Sequence, residues 1–427
     1  MAMSGSEEKY LVGAQAAEFL GVKPATLYAY ASRGQIESIP GASGRERCYR
    51  LSDLIRLRQS ARGVKTTRDS EPAVWTGPAI KSAITEIKSD GHCYRGHSAV
   101  EMALRGDSFE STAELLWGIG DLEERHDNGQ NAGEKLWRHA TLMDYSCVEK
   151  LVSAEVECLE LLKLLLVMLE MKDPVSRKLS GEDVYETARR LILTMAASVG
   201  LADKKSIKTD SQSPYLIGSI LAQTLSTSGG GDPEKAKLIN LALVLCADHE
   251  LNASALSARI AASCDASLYS CLLSALGSFS GSLHGSASRR TEEFVNSSFT
   301  FGSARAWLKE YLRQNETIAG FCTELYDQGD PRARVLIESA LTYDGENEKL
   351  KRLREIVECV GEDMSLFPNL DVGLAAITYA LGLPSGSGST IFAVSRAAGW
   401  IAHAIEQRLY GGIIRPRARY IGKTAIS

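Results

Sequence analysis

In LALVLCADHELNAS (241–254) an apolar helical run stops at Asp248, His249 and Glu250, then passes through Asn252 and Ser254. Ionisable side chains beside an apolar helix are costly to bury unless they are paired or work on a ligand. Three further segments repeat the pattern. GSFSGSLHGSAS (277–288) sets His284 among glycines, where backbone can approach a ligand closely. GFCTELYDQGDPRA (320–333) carries Arg332 just after a Gly-Asp-Pro turn, and FPNLDVG (367–373) puts Asp371 at the start of a helix. Two arginines follow, Arg396 in IFAVSRAAGWIAHAIE (391–406) and Arg415 in IIRPRARY (413–420). An Asp, two His and several Arg suit an acid–base centre for a polyanionic substrate. Each also has a structural reading: His284 as a satisfied core group, Asp371 as a helix cap, Arg396 as one half of a buried ion pair. Spacing alone does not choose between them.

Around these segments the chain reads as mainly helical. Amphipathic or buried runs recur at 109–119, 148–171, 181–199, 234–247, 267–279, 303–313, 331–341, 347–360, 371–381 and 391–408. Strand-like alternation is confined to AITEIKSDGHCYRG (83–96), a short hairpin. STSGGGDPE (226–234) and SGSGST (385–390) read as flexible loops; the second lacks the lysine and spacing of a phosphate-binding loop. The chain has 427 residues, enough for two or three domains. Its nine cysteines are odd in number and contain no Cys-x-x-Cys pair, which argues against a disulfide framework or a zinc site and for a reducing cytoplasm. The polar start MAMSGSEEKY has no apolar core of a signal peptide. The run ECLELLKLLLVMLEMK (157–172) is too short and too charged to span a bilayer.

Charge divides the chain. Residues 1–70 carry 11 Lys+Arg against 7 Asp+Glu, and the remainder 37 against 46. This basic head reads helix, Gly-Val turn, helix: AQAAEFL (14–20), then PATLYAYASRG (24–34), with Pro24 in the first turn and Gly34 as the stop. SIPGASGRERCYRL (38–51) suits a β-hairpin wing, and SDLIRLRQSAR (52–62) a third helix capped by Ser52. AAEFLGVKPATLYAYASRGQI with the following R-x-R-x-x-R-L-S-D-L resembles the winged helix-turn-helix of the MerR and excisionase type. That resemblance implies that Thr26, Tyr30 and Arg33 approach a DNA major groove while Arg45, Arg47 and Arg50 lie on phosphates. The alternative is a docking domain that has lost DNA.

The body resembles the citrate synthase family over 76–427. The motifs that carry this are SDGHCYRGHSAVEMA (89–103), ADHELNAS with Arg259, LHG, DPRA, the Asp371 segment, SRAAGWIAHAIEQ and RPRARY-x-G. The resemblance implies an almost wholly α-helical fold with a large and a small domain and a cleft. The expected boundaries are 1–60 for the head, 61–75 for a linker, 76–285 with 382–427 for the large domain and 286–381 for the small domain. It implies condensation of acetyl-CoA or another acyl-CoA with oxaloacetate or another 2-oxo acid, with no metal and no permanently bound cofactor. By the same resemblance Asp371 takes the methyl proton and His284 hydrogen-bonds the enol oxygen. His249, Arg332 and Arg396 hold substrate carboxylates, and Arg415 reaches the neighbouring subunit of a dimer.

The chain departs from the family pattern at one decisive place. Thr323 stands where the family has the histidine that polarises the keto group, Cys322 where it has glycine, and Glu324 where a basic residue is common. Cys246 replaces a histidine just before ADHE, and Ser282 and Ser288 replace the usual Pro and Asn around LHG. Loss of one such donor costs about 3–4 kcal/mol of transition-state stabilisation. The expectation is therefore a synthase of reduced or altered activity, as a homodimer or paired with a paralogue. The rival readings are a ligand-sensing DNA-binding regulator and a non-catalytic partner subunit.

Overall fold

Helices dominate the computed structural model, which describes residues 10–20, 22–41, 47–50, 53–54, 57, 80–119, 132–153, 156–173, 182–201, 203, 213, 215–226, 232–314, 317–321, 325–326, 328–418, 420 and 422. The chain falls into two compact units. One comprises 1–73, 89–91 and 286–389, and the other 74–88, 92–285 and 390–427.

The head begins with β1 (Tyr10–Val12), α1 (Gly13–Leu20) and α2 (Pro24–Ser32), followed by β2 (Ser38–Pro40) and β3 (Arg47–Arg50). Pro24 occupies the first turn of α2, and Gly34 takes φ +71 just beyond its end. The expected hairpin is present, with Ile39 opposite Cys48, but β3 also pairs with β1, an added strand that the sequence did not signal. Ala16, Ala17, Leu20, Leu27, Ile36, Tyr49 and Leu54 make the head's own core. The third helix falls largely outside the described residues, as does Ser52.

In the second unit β4 (Thr85–Lys88), β5 (Gly91–Tyr94) and β6 (His97–Ser98) form a three-stranded sheet with β5 in the centre. Helices follow: α3 (Ala99–Arg105), α4 (Phe109–Trp117), α5 (Ala132–His139), α6 (Ser146–Glu149), α7 (Cys158–Lys172), α8 (Glu182–Ser198), α9 (Leu216–Leu225), α10 (Pro233–Cys246), α11 (Ala253–Ser263) and α12 (Leu268–Phe279). The single run expected over 148–171 is two helices. Lys150 ends α6, and the apolar stripe begins again only at Cys158. α7 buries Leu159, Leu161, Leu162, Leu165, Leu166 and Leu169, so it is a core helix; among the described residues no helix is long and apolar enough to cross a membrane.

The other unit's body holds α13 (Ala287–Ser297), α14 (Ala304–Gln314), α15 (Pro331–Asp344), α16 (Glu348–Met364) and α17 (Leu370–Ala380). α18 (Ser387–Tyr410) starts inside the stretch SGSGST that composition marked as a loop. The Glu292 carboxylate explains this: it accepts from Ser385 Oγ at 2.7 Å and from the Gly386 amide, satisfying donors just ahead of the helix. Gly388 belongs there because a Cβ would press on Leu374 at 3.2 Å.

Candidate active site

α10 delivers the first site segment. Pro233 and the Asp232 cap start this helix, and its apolar length buries everything from Ala242 to Asp248. Beyond it Asn252 caps α11, its Oδ1 accepting from the amides of Ser254 and Ala255 at 3.1 Å each. The motif ADHELNAS is thus one helix end, a turn and one helix start. His249 lies half-buried in the turn with its ring 5.2 Å from that of His92. Asp248 is fully buried. Burial alone would push its carboxyl up, but His403, Arg396 and a 2.6 Å bond from Thr85 Oγ1 outweigh that and hold it below the ordinary carboxylate value. Arg259, also fully buried, pairs with Glu406 at 2.8 Å and places Nη1 3.2 Å from His403 Nδ1.

His284 follows α12 in a turn that only Gly285 can complete, since a Cβ there would lie 2.0 Å from the Phe279 ring. Its Nε2 is 2.8 Å from Ser254 Oγ, and that oxygen also accepts from Trp400 Nε1 at 3.0 Å. Ser254 Oγ donates its one proton to Asn252 Oδ1 at 2.7 Å, since an amide oxygen can only accept. Burial, and then the nearby Arg396 charge, push the His284 pKa down to about 4, so the ring is neutral at neutral pH. Arg396 is itself 1% exposed; its Nε donates to the Cys246 carbonyl at 2.7 Å and its guanidinium lies over the Phe392 ring. The structure therefore gathers His284 with Arg396 and Ser254, and His249 with His92, within one unit. Arg415 is exposed on the segment after α18.

The other unit holds Asp371 and Arg332. Asp371 does not cap α17. Asn369 does, accepting the Asp371 amide at 2.9 Å, so the Asp371 carboxylate is not spent on the helix end. Burial pushes its pKa up to about 7, against the opposing charges of Arg332 and Arg290 and with help from Asp330. Asp330 caps α15 and also clasps Arg332 through two bonds. Gly320, at φ +82, is required because a Cβ would lie 2.5 Å from Val372. An isolated β-bridge between Phe321 and Pro368 ties this loop to the Asp371 segment. Thr323, Cys322 and Glu324 lie outside the described residues. Ser288 Oγ is 2.7 Å from Ser389 Oγ.

In the head, Arg33 and Arg47 are exposed, Arg47 donating to Ser38 Oγ, while Arg50 pairs with Glu37. Thr26 is half-buried. Tyr30 packs against the head's core, and Tyr28 is the tyrosine of α2 that stands open, at 56% exposure. Two residues along a helix is about 200°, so the two tyrosines face opposite ways. Arg45 lies outside the described residues. Sequence reasoning assigned no role to Ser254, His92, Asp330 or Arg290. Ser254 sits inside the quoted motif, Arg290 lies two residues past the LHGSAS segment, and His92 lies inside SDGHCYRGHSAVEMA, where it was given no role.

Residues 73–417 match the family model for the citrate synthase C-terminal domain, and residues 13–62 match a helix-turn-helix domain. Citrate synthase of Haloferax volcanii is 39% identical over 211 residues, 47% of this chain and 55% of that protein. That alignment spans little more than half of the relative. Citrate synthase 2 of Bacillus subtilis is 28% identical over 352 residues, 81% of this chain and 94% of that protein. The fold matches citrate synthase of Thermoplasma acidophilum, solved as a ternary complex with carboxymethyl coenzyme A and oxaloacetate. The TM-score is 0.70 at 19% identity, covering 82% of this chain and 96% of that one. A chain that matches the family model over most of its length, and folds as its members do, belongs to the citrate synthase family, here with a helix-turn-helix domain preceding the synthase domain.

Proposed function

We propose that this protein condenses an acyl-CoA with a 2-oxo acid, acetyl-CoA and oxaloacetate being the first pair to test, and releases a hydroxy acid and CoA in the cytoplasm. The observation that carries the reading is Asp371, a carboxylate left out of the helix cap and raised to about 7. A general base works best with a pKa near the operating pH. Asp371 takes the proton from the thioester methyl. His284, held neutral, donates a ring N–H to the oxygen on which enolate charge develops. His249, Arg396 and Arg332 bind the carboxylates of the 2-oxo acid, for which the planar guanidinium fork is suited. Asp330 fixes the plane of the Arg332 guanidinium through Nε and Nη2. Arg415 completes the site of a second subunit in a dimer.

Thr323 cannot place a charge on the keto oxygen, so the unaltered chain turns over slowly. The test is CoA release with oxaloacetate and either acetyl- or propionyl-CoA, on wild type and on Cys322→Gly with Thr323→His. The restored variant should gain about 10²-fold or more in kcat with little change in KM. A wild type already at the restored rate removes the proposed role of Thr323. No release from either form removes the enzymatic reading.

The helix-turn-helix match and the basic head favour a second reading, a DNA-binding regulator that uses the synthase body as receptor for the same acid. It calls for salt-dependent binding of duplex DNA that oxaloacetate alters.

A further inference from the structure

We propose that His92 is a positioning residue for His249, acting through a wedge that it forms with Tyr94 at the end of α10. The inference rests on the reading that His249 meets a substrate carboxylate. In β5 the two-residue period puts His92 and Tyr94 on one face, and both are buried, His92 at 1% exposure. The Tyr94 hydroxyl accepts from the Asp248 amide at 3.3 Å and donates to the Val244 carbonyl at 2.9 Å. These are the amide and carbonyl that an uninterrupted helix would join directly. The phenol thus stands between them and turns the chain out of the helix one residue before His249.

A phenol has one proton. Tyr94 gives it to a carbonyl, so the 3.0 Å contact with His92 Nε2 must be donated by the imidazole. His92 is therefore held as the Nε2–H tautomer, with Nδ1 as its accepting nitrogen and with its ring direction set. That ring stands edge-on to His249, centroids 5.2 Å apart and planes 70° apart. The turn needs support, because Glu250 adopts φ +56, a region that non-glycine residues seldom take. Support from the other side comes through Asp248, whose Oδ2 accepts from Thr85 and whose Oδ1 lies 3.4 Å from His403 Nε2. His92 stands directly against the His249 ring.

The experiment follows the ring nitrogen and carbon resonances of His249 in full-length, ligand-free protein, with oxaloacetate affinity measured separately by calorimetry. His92→Leu keeps apolar bulk and removes the donor. It should shift the His249 resonances and raise Kd for oxaloacetate about tenfold, the scale of one lost hydrogen bond. His92→Gln, whose amide can donate to Tyr94, should return the affinity to within about threefold. A residue that merely fills the core would show no recovery of affinity with glutamine. Unchanged His249 resonances in His92→Leu overturn the proposal, as does failure of glutamine to restore what leucine lost. If His92→Leu does not fold, His92→Met is scored by the same rules. Arg396→Ala is the control for the functional reading. If wild type and Arg396→Ala both bind no oxaloacetate, that reading falls, while the His249 resonances still decide the role of His92.

Discussion

Asp330 clasps Arg332 with both carboxylate oxygens, Oδ1 to Nε at 3.0 Å and Oδ2 to Nη2 at 2.7 Å, and both side chains are buried. One residue thus caps α15, fixes the arginine's plane and sets a negative charge near Asp371. The arginine proposed to hold the substrate acid is pre-aimed by its own helix cap.

Removing that clasp should be costly. Asp330→Ala leaves a buried guanidinium without its counter-charge, a loss of about 3–5 kcal/mol, and removes a helix cap worth about 1 kcal/mol. Asp330→Asn keeps the cap and should lose less. Urea denaturation of both variants checks the order; equal stability of wild type and Asp330→Ala would show that the pair contributes nothing.

Asp371 should work against stability. Its folded pKa of about 7 is above its ordinary value of 3.8, so the native state binds more protons than the unfolded state between those values. The stabilisation from this group is fully present below about pH 4 and is lost as pH rises through about 7. Asp371→Asn should therefore melt higher than wild type at pH 8, with the difference shrinking toward pH 4, while condensation falls by about 10²–10⁴-fold. An unchanged or lower melting temperature at pH 8 would contradict the raised pKa.

His284 should titrate the other way. Its folded pKa of about 4 is below the ordinary 6.5, so its contribution to stability is present above about 6.5 and lost as pH falls through about 4. Proton NMR of the ring should find it neutral at pH 6. Ser254→Ala leaves Trp400 Nε1 and His284 Nε2 without their shared oxygen, at a cost of about 1–3 kcal/mol for a buried group. A His284 found charged at pH 6 refutes the assignment of a neutral donor.

The head separates two tyrosines. Tyr28→Ala should leave the fold intact and weaken duplex binding, whereas Tyr30→Ala should destabilise the head by about 2–4 kcal/mol because Tyr30 packs on its core. Arg45→Ala with Arg47→Ala should flatten the salt dependence of binding to an inverted-repeat site. Gel-shift and melting measurements on the three variants decide this; DNA binding by wild type that ignores salt would count against a phosphate-tracking wing.

Local chemistry was legible wherever a residue acts on its own chain neighbours. Pro24 opening α2, Gly34 closing it, and Asp330-Pro331 starting α15 all depend on backbone within a few residues. α11 and α13 were not legible. ASALSARIAAS and ASRRTEEFVNS have weak apolar stripes and become helical by packing against α12 and α17 respectively. SGSGST was misread because the group that satisfies its backbone, Glu292, comes from a distant helix.

The sequence by itself determined the family, the order of the motifs and the helical character, since those rest on local pattern and on residues in a fixed succession. Only the tertiary structure decided which ionisable groups carry charge and which are aimed. Asp371 is raised by what surrounds it, His284 is neutral because of burial and Arg396, and His92 meets His249 across the gap between a strand and a helix end. Desolvation and through-space charge depend on distance in the folded chain, which residue order does not state.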